Sequence, residues 1–463
     1  MQLTSIGHLS WSVCAGDTHV LVDPLLGEGF GSDPGRPFHI VPARMVCLED
    51  MPPVDAIILT TEHLQHFHPA TLARLQREFP HKLKTLRVYV PQMFPQAARD
   101  LLHHCGYEIH VMDIRHDVQV GELTCRFYMP YTDVLFWDSR VASLYLRDTR
   151  DQSVFIQSDT RIADSFYADV SAGTVPSPRV MVVTNNFQSS AEGQAIGLDN
   201  LLPVADPKYA RISGLRLLNE IISQPARKLD KSVILVIAGN GYLDKDRKIR
   251  HLWSNAQLAG IASQLSLLST VHALDPGESL DAGTACPGQV AGWIAPTEPS
   301  RHWLSVERLG CGPRTSLVQV KEHLDEMART WLITGYGQSL MTQTHYLGRP
   351  LGARRLVIQL MDEGRQSIDF VLDVSRVEFV RVDSLGARAI KQYPFGIRVD
   401  LRDFKSLLAG ELQVWELLNL SASQWYVCDR YDSPLAFWLE FYSEQVDSER
   451  ARRSYQLSLD SVS

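Results

Sequence analysis

Three of the chain's 16 histidines, His63, His66 and His68, fall within six residues of one another, in the run Thr60-Thr61-Glu62-His63-Leu64-Gln65-His66-Phe67-His68-Pro69. Neutral imidazole is the commonest metal ligand, so such a cluster points first to a metal centre. A lone histidine more often caps a helix or faces solvent, and His68, just before Pro69, is placed to do so as well as to ligate or to orient a substrate. Glu62 lies inside the cluster and is a candidate general base if its side chain turns inward. The seven cysteines (14, 47, 105, 125, 286, 311 and 428) are scattered, with no Cys-x-x-Cys pair. Neither a disulfide framework nor a thiolate zinc site is expected, and any metal here takes histidine and carboxylate ligands.

The flanking elements explain how the cluster is presented. Ala56-Ile57-Ile58-Leu59 is a continuous apolar run, as for a strand buried on both faces, and it feeds directly into the histidines. After them, Leu72, Leu75 and Phe79 recur at helical spacing, with Pro69 where a first turn accepts proline. Upstream, strand patterns at Leu3–Ile6, Ser10–Cys14 and Val20–Val22 end in Asp23-Pro24. Downstream they return at 86–90, 109–112, 123–129, 142–146 and 154–157, then at 180–184 and 233–238, with a helical pattern over 212–222. The order argues a layered α/β sandwich over residues 1–275. A Gly- and Pro-rich stretch, 276–315, reads as a junction. Residues 316–463 read as a smaller α+β domain, with a helix near 317–333, strands at 355–361, 368–374 and 377–382, a helical segment at 400–420 and a last amphipathic stretch at 435–442. The charged tail from Ser443 reads as a solvated helix end.

The chain has 45 basic and 53 acidic side chains, a net charge of −8, which argues against nucleic-acid binding through bulk charge. With no apolar run long enough for a membrane span and no signal-peptide pattern at the start, the expectation is a soluble, cytoplasmic protein. There is no GxSxG elbow for serine catalysis, and Gly239-Asn240-Gly241 reads as a tight turn, lacking the spacing of a dinucleotide fingerprint.

The run ILTTEHLQHFHPATLARLQ resembles the metal-binding loop of the metallo-β-lactamase superfamily, whose pattern is HxHxDH after an apolar strand and before a helix. The opening IGHLSWSV, the strand VLVDPLL and the segment VFIQSDT fall in the order that the family shows, and the match spans residues 1 to about 270. The resemblance implies an αββα sandwich, with His63 in a first metal site, His66 in a second and Asp159 between them. The motif is altered, because Thr61 stands for its first histidine and Gln65 for its aspartate. The third histidine is absent from CRFYMPYTDVLFWDSR, where Asp133 is a candidate extra carboxylate, and Asn240 stands at the final one. The helix beginning Ala70-Thr71-Leu72 further resembles CMP-N-acetylneuraminate hydroxylase-like members.

Two histidines and a carboxylate match the ligand type of mononuclear non-haem iron oxygenases, so the first expectation is an iron-dependent oxidoreductase acting on a small molecule. With zinc instead, the same ligands leave a position for an activated water, giving a one-metal hydrolase assisted by Glu62 or Asp133. A metal-free binding or partner protein is the third expectation. A homo-oligomer or a partner protein is open under each.

Overall fold

The computed structural model describes residues 1–33, 35–129, 139–186, 200–202, 223–239, 241–243, 253–265, 270–299, 315–332, 335–363, 366–427 and 433–460. The helical pattern at 212–222 and Asp133 lie outside the described residues. The chain forms two compact units: Met1–Ser189 with Ile212–Glu307 and Tyr455–Ser463, and Ser190–Arg211 with Arg308–Ser454.

The first unit is built on two seven-stranded sheets. One runs Ser279–Asp281, Gln2–Gly7, Ser10–Ala15, Thr18–Val22, Ala56–Ile58, Arg87–Pro91, Glu108–Met112, antiparallel through the opening meander and parallel from Thr18–Val22 onward. The other runs Val118–Val120, Leu123–Tyr128, Ser143–Asp148, Ser153–Ile156, Val180–Thr184, Ile234–Ala238, Thr270–Ala273, with its last four strands parallel. Alternation decides the packing: Leu3, Trp11, Val13, Val20 and Val22 share one buried cluster with Leu123, Cys125, Phe127, Val154, Ile156 and Val236 from the other sheet. The opposite faces of the second sheet, Phe155, Met181, Val183, Leu235 and Ile237, bury against Phe166, Leu258 and Ala262 of the helices Asp164–Ser171 and Asn255–Leu265. This explains why the parallel strands read as unbroken apolar runs, since both faces are covered. The helices Pro69–Glu78 and Gln96–His104 accompany the parallel strands of the first sheet, and the second of them packs on Glu108–Met112. The result is the αββα sandwich.

The stretch 276–315 differs from a simple junction. Ser279–Asp281 extends the first sheet beside Gln2–Thr4, and Ile294–Pro296 pairs with Arg44–Val46. Its glycines serve that path: Gly277, at φ +90°, donates its N–H to the Ser5 carbonyl at 2.8 Å.

The second unit holds a five-stranded sheet in the order Glu378–Val382, Ser367–Asp373, Arg354–Met361, Phe395–Asp400, Ser423–Tyr426. The helix Leu317–Trp331 starts at a capping box in which Ser316 and Gln319 satisfy each other's backbone N–H groups. The expected helix over 400–420 is two, Leu401–Leu408 and Val414–Leu420. Gly410 at φ +73° breaks it, and Gln413 with Glu416 caps the second piece. The charged tail is not simply the solvated end of the helix Pro434–Ser443; from Glu449 it enters a helix of its own, Glu449–Asp460. Among the described residues no helix is long and apolar enough to cross a membrane.

Candidate functional site

The histidine loop leaves the strand Ala56–Ile58 beside the end of Thr18–Val22, and Asp23 at that end organises it. Asp23 is fully buried in a left-handed conformation, φ +48°. Its Oδ1 accepts the Thr60 N–H at 2.7 Å, and its Oδ2 accepts the Thr60 hydroxyl at 2.5 Å and His66 Nδ1 at 2.8 Å. Thr60 in turn meets the Ser158 hydroxyl at 2.6 Å, which ties the loop to the end of Ser153–Ile156 and so brings Asp159 alongside. His66 is completely enclosed. Burial disfavours its charged form, but the charge and hydrogen bond of Asp23 outweigh that, and the pKa of His66 lies above the usual value.

His63 stands in a different field. It is also enclosed, and burial pushes its pKa down to about 4, with Glu62 and Arg140 acting in opposite directions beside it. Glu62 does turn inward, as a general base would, but toward a cation: Arg140 Nε donates to Glu62 Oε1 at 2.7 Å and the Thr61 hydroxyl donates to Oε2 at 3.1 Å. Burial works to raise the Glu62 pKa; the guanidinium prevails and holds it below the usual carboxylate range. Thr61, at the position of the family's first histidine, is thus a hydrogen-bond donor to this carboxylate.

Gln65 stands in the place of the motif's aspartate. Its amide Nε2 donates to Asp159 Oδ2 and lies 3.4 Å from His66 Nε2. An amide NH₂ can donate to that ring nitrogen only when the nitrogen carries its lone pair, so neutral His66 holds its proton on Nδ1, toward Asp23. The other oxygen of Asp159 accepts Asn186 Nδ2 at 2.8 Å. His68 is turned to a helix end: its Nδ1 accepts the Thr71 N–H at 3.3 Å and meets the Thr71 hydroxyl at 2.8 Å, capping Pro69–Glu78. Burial lowers its pKa to about 4.

These contacts bear directly on the metal expectation. His63, His66 and Asp159 are electrostatic neighbours, so the loop does bring them together. Yet both Asp159 oxygens and both His66 nitrogens face hydrogen-bonding partners, the Nδ1 of His68 is spent on its cap, which leaves the ring proton on Nε2, and Glu62 is held by Arg140. Among the described residues no group of three or more histidine, cysteine, aspartate and glutamate side chains converges as a metal would require. In this arrangement the described donors do not fit a metal ion. Sequence reading singled out Gln65 as a lost ligand but missed that it donates. It also missed Arg140, Asn186 and the support from Asp23; only Asp23, at a strand end in a quoted motif, carried any local signal.

His8 completes the neighbourhood, its ring 6.3 Å from that of His66 and stacked on Phe30 at 6.1 Å. Of Gly239-Asn240-Gly241, the middle residue lies outside the described residues. Gly239 has φ +84° and donates to the His8 carbonyl, and a Cβ on Gly241 would lie 2.2 Å from the Val41 carbonyl oxygen.

The two-sheet sandwich, with a histidine loop at the strand ends, is the arrangement of the metallo-β-lactamase class. Residues 18–184 match the family model described as the beta-lactamase superfamily domain. It is similar to the solved structure of a possible metal-dependent hydrolase from Veillonella parvula, with 14% identity over 60% of this chain and 98% of that one and a TM-score of 0.40. It is also similar to an isothiocyanate hydrolase from Delia radicum gut bacteria, at 18% identity over 61% and 99% with a TM-score of 0.40. A third is CmlA, a diiron β-hydroxylase from Streptomyces venezuelae, at 16% identity over 59% and 53% with a TM-score of 0.38. No curated protein matches the chain.

Proposed function

We propose that this chain is a metal-independent binding protein on a metallo-β-lactamase-type scaffold, taking a small-molecule ligand where relatives of this class hold metal. The observation that carries the reading is the Gln65 amide, which donates to Asp159 and faces the lone pair of His66. An N–H donor there neutralises the same acceptors that a cation would, at the cost of the coordination chemistry. Arg140 adds a fixed positive charge beside His63, and a buried guanidinium disfavours the approach of a divalent ion.

The metal-dependent reading, as iron oxygenase or one-metal hydrolase, keeps one observation in its favour. A carboxylate bound to Nδ1 of a histidine, as Asp23 is to His66, is the usual outer support of a metal-ligating imidazole. Metal analysis separates the two. The protein is purified without added metal, incubated anaerobically with iron(II) or with zinc, desalted and assayed for metal per chain. The binding-protein reading expects no stoichiometric metal in the wild type and uptake in a Thr61→His/Gln65→Asp double variant. Stoichiometric iron or zinc in the wild type, lost in His66→Ala, would sink it in favour of the oxygenase or the hydrolase respectively.

A further inference from the structure

Beside the histidine loop lies a second polar group that the altered motif does not account for. Arg44 opens the strand Arg44–Val46 and is only 3% exposed. Its Nε donates to the Ile6 carbonyl at 2.5 Å and its Nη2 to the Leu25 carbonyl at 2.6 Å. The guanidinium lies against Gly7, where a Cβ would come within 2.8 Å of Nε, and Gly7 takes φ +113° there. The backbone is thus shaped to seat this side chain. Its two hydrogen-bond partners are neutral carbonyls, and Nη1 is buried with no hydrogen-bond partner. Burial pulls the Arg44 pKa down to about 10, against the influence of Glu28, so the group remains a cation at neutral pH. A buried charge left with an unfilled donor calls for a counter-ion.

Two imidazoles share that corner. His8 Nδ1 receives the Gly241 N–H at 3.5 Å, which puts the proton on Nε2. That nitrogen is buried, and Gln65 comes near it without completing a hydrogen bond. His68 Nδ1 receives the Thr71 N–H, so its proton is on Nε2 as well. The His68 ring faces Gly27, whose Cβ position is 3.5 Å from Cε1, two residues from the carbonyl that holds Arg44. Both imidazoles feel the Arg44 charge. The corner therefore offers N–H donors from three side chains, with two of the donor nitrogens unfilled.

We infer that Arg44, His8 and His68 form a receptor for an oxyanion, the phosphate or carboxylate group of the ligand. The inference rests on the binding-protein reading and names the class of ligand. An oxyanion supplies acceptor lone pairs for the unfilled Nη1 together with negative charge beyond that of Glu28, and a guanidinium is the side chain best matched to it.

The test uses the full chain at low ionic strength, with inorganic phosphate and succinate as separate probes and chloride as the control. Calorimetry and thermal melts are read for the wild type, Arg44→Met, Arg44→Lys and His8→Phe. The expected result is one site per chain for phosphate, succinate or both, with a rise in melting temperature. Arg44→Met should weaken binding at least about tenfold, and Arg44→Lys less than that. Binding of phosphate alone identifies a phosphorylated ligand, and binding of succinate alone a carboxylate. If Arg44→Met does not fold, His8→Phe carries the test and should also weaken binding. Neither anion binding to the wild type, or unchanged affinity in the folded variants, would overturn the inference. Metal content measured on the same samples keeps the two readings apart: metal in the wild type defeats the binding-protein reading, whereas a metal-free protein indifferent to both anions defeats only this one.

Discussion

His63 and His66 belong to one short loop and are equally enclosed, yet the protein treats them in opposite ways. Around His66 the supports of a metal ligand persist, with Asp23 on Nδ1, Thr60 bracing Asp23 and Ser158 bracing Thr60. Around His63 the surroundings are those of a buried ion pair, Glu62 with Arg140, in which the positive charge is covalently part of the chain. The contrast teaches that two kinds of replacement act at once. A neutral amide answers the lone pairs on the His66 side, and a guanidinium answers the carboxylate on the His63 side.

The heaviest way to break this contrast is to remove the guanidinium's partner. Both members of the Glu62–Arg140 pair are shielded, with side-chain exposures of 4% and 16%. Glu62→Gln takes the carboxylate charge away from a shielded Arg140, and should cost roughly 3 kcal/mol of stability in urea unfolding. The Glu62→Gln/Arg140→Met pair should cost clearly less than the sum of the single changes. Additive losses would mean that the two side chains contribute independently, and the ion-pair account of the His63 side would fall.

Next in size is the pH dependence, where the two histidines should pull in opposite senses. His63 refuses a proton until about pH 4, whereas the unfolded chain accepts it near 6.5. Its contribution to stability is therefore complete above 6.5 and is lost as pH falls toward 4, about 2 kcal/mol between pH 7 and 5. His66, with a raised pKa, gives a contribution that is complete below 6.5 and lost as pH rises through its own value. His63→Gln should flatten the acid limb of the stability curve, and Asp23→Asn should lower the His66 pKa, read from its ring proton shifts. An unchanged acid limb in His63→Gln would show that His63 is hydrated.

How much of this was visible beforehand follows from distance along the chain. The sandwich was legible because alternation, apolar runs and turn residues are local, and the histidine loop was legible because its donors are contiguous. The continuation of the first unit past residue 276 was hidden, since pairing of Ser279–Asp281 with Gln2–Thr4 leaves no trace in a stretch full of glycine and proline. The break at Gly410 was missed because apolar spacing ran on through it. At the site, Gln65 was seen as a missing ligand, but its role depends on Asp159, 94 residues on, and on the choice of donor over acceptor. Arg140 is 78 residues from Glu62, and Arg44 shows its cradle only once Ile6, Gly7 and Leu25 are seen around it.

The smallest effect concerns His68, the third histidine, which belongs to neither side. Its Nδ1 serves as the N-cap of Pro69–Glu78, a position that serine, threonine, aspartate or asparagine fills more often. His68→Ala removes the acceptor for the Thr71 N–H and should cost about 1 kcal/mol, whereas His68→Asn restores a cap and should recover most of it. Metal content should not change in either variant if the imidazole works only as a cap and an anion donor. The asparagine variant sharpens the point, because it repairs the helix end without returning a ring N–H. Full stability in His68→Asn together with weakened phosphate or succinate binding would separate the two duties of one side chain. Full stability with unaltered binding would confine His68 to the helix and leave the anion to Arg44 and His8.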